Sequence, residues 1–136
     1  MQSFSKYIVI IEVEAKDGCF ESSGFLFHRS GLICATRHSF GAETKDIKSI
    51  TIYQITKDQL RQEIGKAVLL KPLSKSFEDR GLDLAVLRCN GAKTCIPLAI
   101  SNAQSVITDT LFYYGYVWLY KFCDFPTMCT VAVVVF

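Results

Sequence analysis

The chain has little that would commit it to a membrane, a metal or a nucleic acid. Its C-terminal third is apolar, but Lys121, Asp124 and Pro126 interrupt it, and neither flanking run approaches the roughly 20 residues that cross a bilayer. Near the N-terminus Lys6 is followed only by the short apolar run 7–11 before Glu12, less than the roughly 7–15 residues of a secretory core. The expectation is a protein outside the membrane, with an intracellular location favoured. There are only two histidines, and the cysteines at 19, 34, 89, 95, 123 and 129 form no C-x-x-C pair. Zinc spacing is therefore missing, and neither a metal nor another cofactor is expected. Fifteen basic residues against thirteen acidic ones leave a formal charge of only +2. With no Lys/Arg cluster interleaved with aromatics, that excludes an obvious nucleic-acid groove. Internal repeats, low-complexity tracts and long amphipathic helical periods are missing too.

What is present suits one domain with a real core. Half of the 136 residues are apolar and about a fifth are charged, a balance that argues against disorder. The six cysteines read as reduced, small residues of core or surface. Only export would make Cys89/Cys95 and Cys123/Cys129 candidates for small disulfide loops.

Short strand-like runs bounded by turn residues dominate. Residues 7–14 (YIVIIEVE) end in apolar/acidic alternation, and Asp17-Gly18 follows as a turn signal. Residues 24–28 (GFLFH) and 32–36 (LICAT), separated by Arg29-Ser30-Gly31, read as a β-hairpin. Further strand candidates are 50–55 (ITIYQI), 67–70 (AVLL, bounded by Gly65 and Pro72), 84–87 (LAVL), 110–116 and 130–136. Residues 58–64 fit either a helical turn or a loop. The 84–87 run is apolar throughout, as in a strand covered on both sides. Many short strands with turn-bounded spacing predict an all-β barrel or sandwich.

Two residues could carry chemistry. His38 comes directly after the 32–36 strand, in Cys34-Ala35-Thr36-Arg37-His38. A histidine at a rigid strand end can reach into a cleft, which is where a general base is needed. Taken alone, it reads more readily as an ordinary loop histidine. Asp83 stands at the mouth of the 84–87 strand. A carboxylate placed against that much apolar side chain needs a partner, and a histidine N–H is one that would fix the ring tautomer. The plainer alternative is a turn aspartate bonding its own backbone. His28, at the end of GFLFH, reads as a surface or capping residue.

Taken together, Ser23-Gly24-Phe25-Leu26-Phe27, then Gly31-Leu32-Ile33-Cys34-Ala35-Thr36 and His38, resemble the opening of a trypsin-like (chymotrypsin-fold) peptidase. Asp83-Leu84-Ala85-Val86-Leu87 is similar to that family's aspartate motif. Pro97-Leu98-Ala99 and Asp109-Thr110-Leu111-Phe112-Tyr113-Tyr114-Gly115-Tyr116 resemble the segment after it. The short hairpin and the last segment look closest to the Deg-type and bacterial glutamyl-endopeptidase-like branches. The resemblance runs from about Ser22 to Tyr116 and implies a serine endopeptidase with His38 as general base and Asp83 as its orienting partner. It also implies a fold of two six-stranded antiparallel β-barrels. Residues 1–136 would be one partial peptidase domain, with the first barrel at about 7–90 and the crossover and incomplete second barrel at about 91–136.

The chain departs from the pattern in three places. Thr36-Arg37 replaces the small residues that usually precede the histidine, and Val117 replaces the frequent proline after Gly115-Tyr116. Arg37 could point to solvent or press its charge on the base. The third departure matters most: no G-x-S-G-G turn occurs in these 136 residues. Such a turn supplies the family's nucleophile and its oxyanion hole. Ser22 and Ser23 lie before the histidine, Ser101 and Ser105 have no adjacent glycine, and Cys123 and Cys129 lie in no such turn. The chain by itself is expected to be inactive, taking a polypeptide substrate only with a nucleophile from elsewhere. A non-catalytic protease-like barrel, binding a protein partner by strand addition at the C-terminal edge 131–136, is the alternative. A nucleic-acid-binding barrel would need a basic groove that the charge does not promise.

Overall fold

Near the N-terminus, a β-branched run and a phenylalanine-bearing run build two long strands joined by a two-residue turn. β1 (Ile8–Ala15) and β2 (Gly18–His28) pair antiparallel from Ile8 opposite Phe25 to Ala15 opposite Gly18, leaving Lys16-Asp17 as the loop. The computed structural model describes residues 6–41, 44–56, 58, 60–95, 97–99, 110–117 and 127–134, the last two stretches through their backbone. Four more strands complete a closed antiparallel barrel: β3 (Leu32–Ala35), β4 (Ile47–Ile55), β5 (Arg61–Leu69) and β6 (Ala85–Cys89). Their order around the barrel is β1-β2-β3-β6-β5-β4, and β4 pairs back onto β1. Closure leaves the barrel no open edge.

Alternation along the strands fills the interior. Val9, Ile11 and Val13 of β1 meet Leu26, Ile33, Ile50, Ile52, Leu69 and Leu87 in one buried cluster. Gly24 has a packing reason. A Cβ there would lie 2.7 Å from Ile11 Cδ1 and 2.8 Å from the Cys34 carbonyl oxygen, so the S-G-F sequence lets β2 press against its neighbours. β6 is buried at Ala85, Val86, Leu87 and Cys89 and exposed only at Arg88, as a strand covered on both sides should be. On the outside, the Arg61 guanidinium donates to both Glu21 carboxylate oxygens at 2.7 and 3.3 Å. It also lies 3.7 Å from Glu12 and over the Tyr53 ring. One side chain thus ties four adjacent strands together.

Two elements differ from the sequence expectation. β5 begins at Arg61, so the undecided 58–64 region is partly strand. Its first half is polar, with Gln62, Glu63 and Lys66 exposed, and the register shifts opposite Ile52/Tyr53, which hides the period-2 signal. The other is a nine-residue helix, α1 (Lys71–Asp79), with proline in its first turn. Pro72 begins a helix here instead of merely ending a strand, because the first turn needs no N–H at that position. Ser74 is the helix's buried residue, and Leu73 and Phe77 are too short an apolar period to read from the sequence.

Past the barrel, the Leu98 N–H donates to the Leu26 carbonyl at 2.9 Å, laying that segment along β2. β7 (Thr110–Val117) and β8 (Thr127–Val134) form a separate two-stranded antiparallel sheet, and β7 approaches β1 and β2. Ser101, Ser105, Asp109, Cys123 and the last two residues of the 130–136 candidate lie outside the described residues. Among the described residues no helix is long and apolar enough to cross a membrane.

Candidate functional site

The turn after β3 decides where His38 goes. Residues Arg37–Phe40 form a single 3-10 turn, closed by the Ser39 N–H on the Thr36 carbonyl at 3.3 Å and by Thr36 Oγ1 against Ser39 Oγ at 2.6 Å. Phe40 is sunk into the barrel at 3% exposure. With its far end anchored there, the turn pushes the His38 side chain outward.

Asp83 is delivered by α1. The helix ends in a Schellman motif: the Gly81 N–H donates to the Glu78 carbonyl and the Leu82 N–H to the Phe77 carbonyl, each at 2.9 Å. Gly81 has φ +75°, the left-handed conformation that glycine adopts without a Cβ penalty. The chain then reverses toward β6 and passes the His38 turn at Asp83.

The structure brings the two residues together, 45 positions apart in sequence. His38 Nδ1 is hydrogen-bonded to Asp83 Oδ2, and the His38 backbone N–H donates to Asp83 Oδ1 at 2.8 Å. Backbone joins in, with the Arg37 N–H on the Asp83 carbonyl at 3.3 Å. Hydrogen bonds from the His38 ring, and next from its backbone N–H, hold the Asp83 carboxyl below its ordinary range and outweigh the opposing effect of burial. With Nδ1 committed to the carboxylate, Nε2 is the ring atom that can take up or release a proton.

One expectation is corrected. Asp83 does not sit against apolar side chain: β6 begins two residues later, and the Asp83 side chain is 53% exposed while that of His38 is 76% exposed. Water screens a pair so open, so its attraction is weak as it stands. The pair opens onto a cleft of about 480 Å³ whose walls include Arg37, Glu78 and Leu82. Leu82 is 47% exposed.

The other candidate residues fall elsewhere. His28 is exposed at the β2–β3 turn, where its Nδ1 accepts the Ser30 N–H at 3.1 Å and lies 2.7 Å from the Ser30 hydroxyl. Ser22 and Ser23 are on β2 opposite Ile11 and Ile10, and the buried Ser22 hydroxyl has no protein partner among the described residues. Cys19, Cys34, Cys89 and Cys95 are free thiols. Among the described residues no three His, Cys, Asp or Glu side chains converge as metal ligands. Sequence reasoning missed Glu78, which lines the cleft from α1; an exposed carboxylate in a polar nonapeptide carries no signal of its own.

No family model and no curated protein sequence matches this chain. Solved structures do. A closed six-stranded antiparallel barrel in this order is the chymotrypsin-like fold. The similar structures include HtrA-type proteases and a serine endoprotease. They include Deg5, at 19% identity and TM-score 0.59 over 98% of this chain and 59% of that one. The serine endoprotease from Yersinia pestis aligns at 15% identity and TM-score 0.62, over 98% and 43%. The HtrA-type protease AlgW with a tripeptide aligns at 14% and 0.58, over 96% and 37%. Likeness at these identities establishes the fold, and this chain spans less than two thirds of the length of each of the three.

Proposed function

We propose that the chain is the N-terminal half of a trypsin-like serine endopeptidase, with His38 as the base and Asp83 as the residue that orients it. The barrel at about 7–90 carries this pair, and about 91–136 is the crossover and start of a second, incomplete barrel. The observation that carries the reading is the two-point grip of one carboxylate on one histidine, ring at Oδ2 and backbone N–H at Oδ1, beside an open cleft. In peptide hydrolysis His38 Nε2 takes the proton of an attacking hydroxyl and returns it to the leaving amine. Asp83 keeps Nδ1 protonated and stabilises the imidazolium formed between those steps. The serine, the oxyanion-hole N–H groups and the substrate side-chain pocket come from polypeptide other than these residues, and no cofactor takes part.

A serine-directed phosphonate tests this. The 136-residue chain is expected to remain unlabelled. A polypeptide that joins it to a downstream G-x-S-G-G segment should be labelled, and His38→Ala should abolish that labelling. Asp83→Asn should slow peptide cleavage by roughly 10⁴-fold, the general cost of neutralising a triad aspartate in chymotrypsin-type enzymes. Labelling that survives His38→Ala would remove the histidine from the mechanism.

A second reading is a non-catalytic, protease-like binding barrel. It is favoured by the solvent exposure of both side chains. β8 has one ladder partner, β7, among the described residues, and its other edge could accept a partner's strand. A reading frame that stops directly after Phe136 would favour this account; one that continues into G-x-S-G-G would favour the enzyme.

A further inference from the structure

Arg37 replaces a small residue beside the proposed base, and its side chain neither hangs in solvent nor leans on His38. It is only 14% exposed, in contrast to its neighbours. Arg37 Nη1 donates to the Gly41 carbonyl at 2.9 Å, at the far end of the turn that carries His38. Its Nε lies 3.5 Å from Glu78 Oε2 on α1, the helix whose Schellman end leads directly into Asp83. One guanidinium therefore touches both the turn that presents the histidine and the helix that delivers the aspartate. A planar guanidinium presents spaced N–H donors to two such partners in one fixed geometry, whereas a lysine offers its three donors from a single flexible point. The His38–Asp83 pair needs this support because it is exposed. Screened by water, its own attraction is too weak to hold a single geometry.

We infer that Arg37 is a positioning residue: with Glu78 it clasps the His38 turn to α1 and so fixes the imidazole on the Asp83 carboxylate. This inference rests on the reading of His38 and Asp83 as base and orienting acid. The charged groups around Asp83 at the cleft are His38 and Arg37 from the turn and Glu78 from α1.

The test follows the Asp83 carboxyl by ¹³C NMR titration in the full chain, with exchange protection of the His38 amide and urea stability measured in parallel. Two explanations for Arg37 and Glu78 predict opposite signs. If they act only as charges through space, Glu78→Ala removes a negative neighbour and lowers the Asp83 midpoint further, and Arg37→Lys changes nothing. If they act as a clasp, both variants release the imidazole and the midpoint rises toward the ordinary carboxyl range, by roughly 0.5 or more. The His38 amide should then lose at least about threefold of its protection, since its acceptor is Asp83 Oδ1. Glu78 is exposed on a helix, where alanine is a good substitute, so this variant keeps the test open if Arg37→Lys fails to fold. A lowered midpoint in Glu78→Ala, or a loss of urea stability without any movement of Asp83, overturns the clasp. The underlying reading fails separately: if Asp83 in the unaltered chain titrates the same before and after His38→Ala, the pair itself is not formed.

Discussion

At the scale of single residues, the chemistry of this chain turns on how one carboxylate is shared. Asp83 gives one oxygen to the His38 ring and the other to the His38 backbone, two contacts made by a side chain that is more than half exposed. This has a consequence in acid. The folded carboxyl is held below its ordinary 3.8, so the unfolded chain takes up the proton first as pH falls. The stabilisation is present above about pH 4 and lost as pH drops through the lowered folded value. Asp83→Asn has no such carboxyl to protonate. Its stability, followed by urea unfolding between about pH 5 and 2, should fall less steeply than that of the unaltered chain. Parallel curves for the two proteins would show that the carboxylate contributes nothing to folding. That His38 and Asp83 are the candidate pair was legible from Cys34-Ala35-Thr36-Arg37-His38 and Asp83-Leu84-Ala85-Val86-Leu87. The openness of the site was not, because apolar neighbours in sequence do not cover a side chain that leaves the strand two residues before it begins.

At the scale of elements, two glycines have different roles and should respond differently to the same change. A Cβ placed on Gly81 would meet nothing within 4 Å, but the backbone there has a φ of +75°. Gly81→Ala should cost about 1–2 kcal/mol, all of it backbone strain at the end of α1. Gly24 instead faces the Ile11 side chain and the Cys34 carbonyl, and a Cβ would approach both to under 3 Å. Gly24→Ala should cost about 3 kcal/mol, through overpacking that pries β2 from β3. Urea unfolding checks both, and equal losses would contradict this division. Part of each of the barrel's six strands was foreshadowed by apolar runs and turn residues, β5 only at its 67–70 end. α1 was not, because its helical spacing is carried only by Leu73 and Phe77 within nine residues, too short a period to read, and its proline read as punctuation.

At the scale of the whole molecule, closure of the barrel sets what solvent can reach. Burial pushes the Cys34 and Cys89 thiols up, away from the thiolate that alkylating agents attack, while Cys19 is exposed near the start of β2. Iodoacetamide at neutral pH should therefore modify Cys19 first and Cys89 last among these three, with a rate difference on the order of 100-fold. Mass spectrometry of the alkylated chain gives the order. Cys89 reacting as fast as Cys19 would mean that the β5–β6 seam opens readily in the native state. The same closure explains why the separate β7–β8 sheet stands outside the barrel: a ring of six paired strands has no edge left to extend.

The sequence by itself determined the class of the fold and the residues worth watching. Strand runs, glycine-bearing turns and an apolar interior are local properties, and each is written in consecutive residues. Tertiary structure alone decided that His38 and Asp83 share hydrogen bonds, that Arg37 folds back onto Gly41 and Glu78, and that the His38–Asp83 pair faces water. Those facts depend on where a 3-10 turn anchored by Phe40 meets a helix end shaped by Gly81. No local pattern encodes the meeting of segments 45 residues apart; the antiparallel pairing of β3 with β6, Ala35 opposite Ala85, brings them to the same rim.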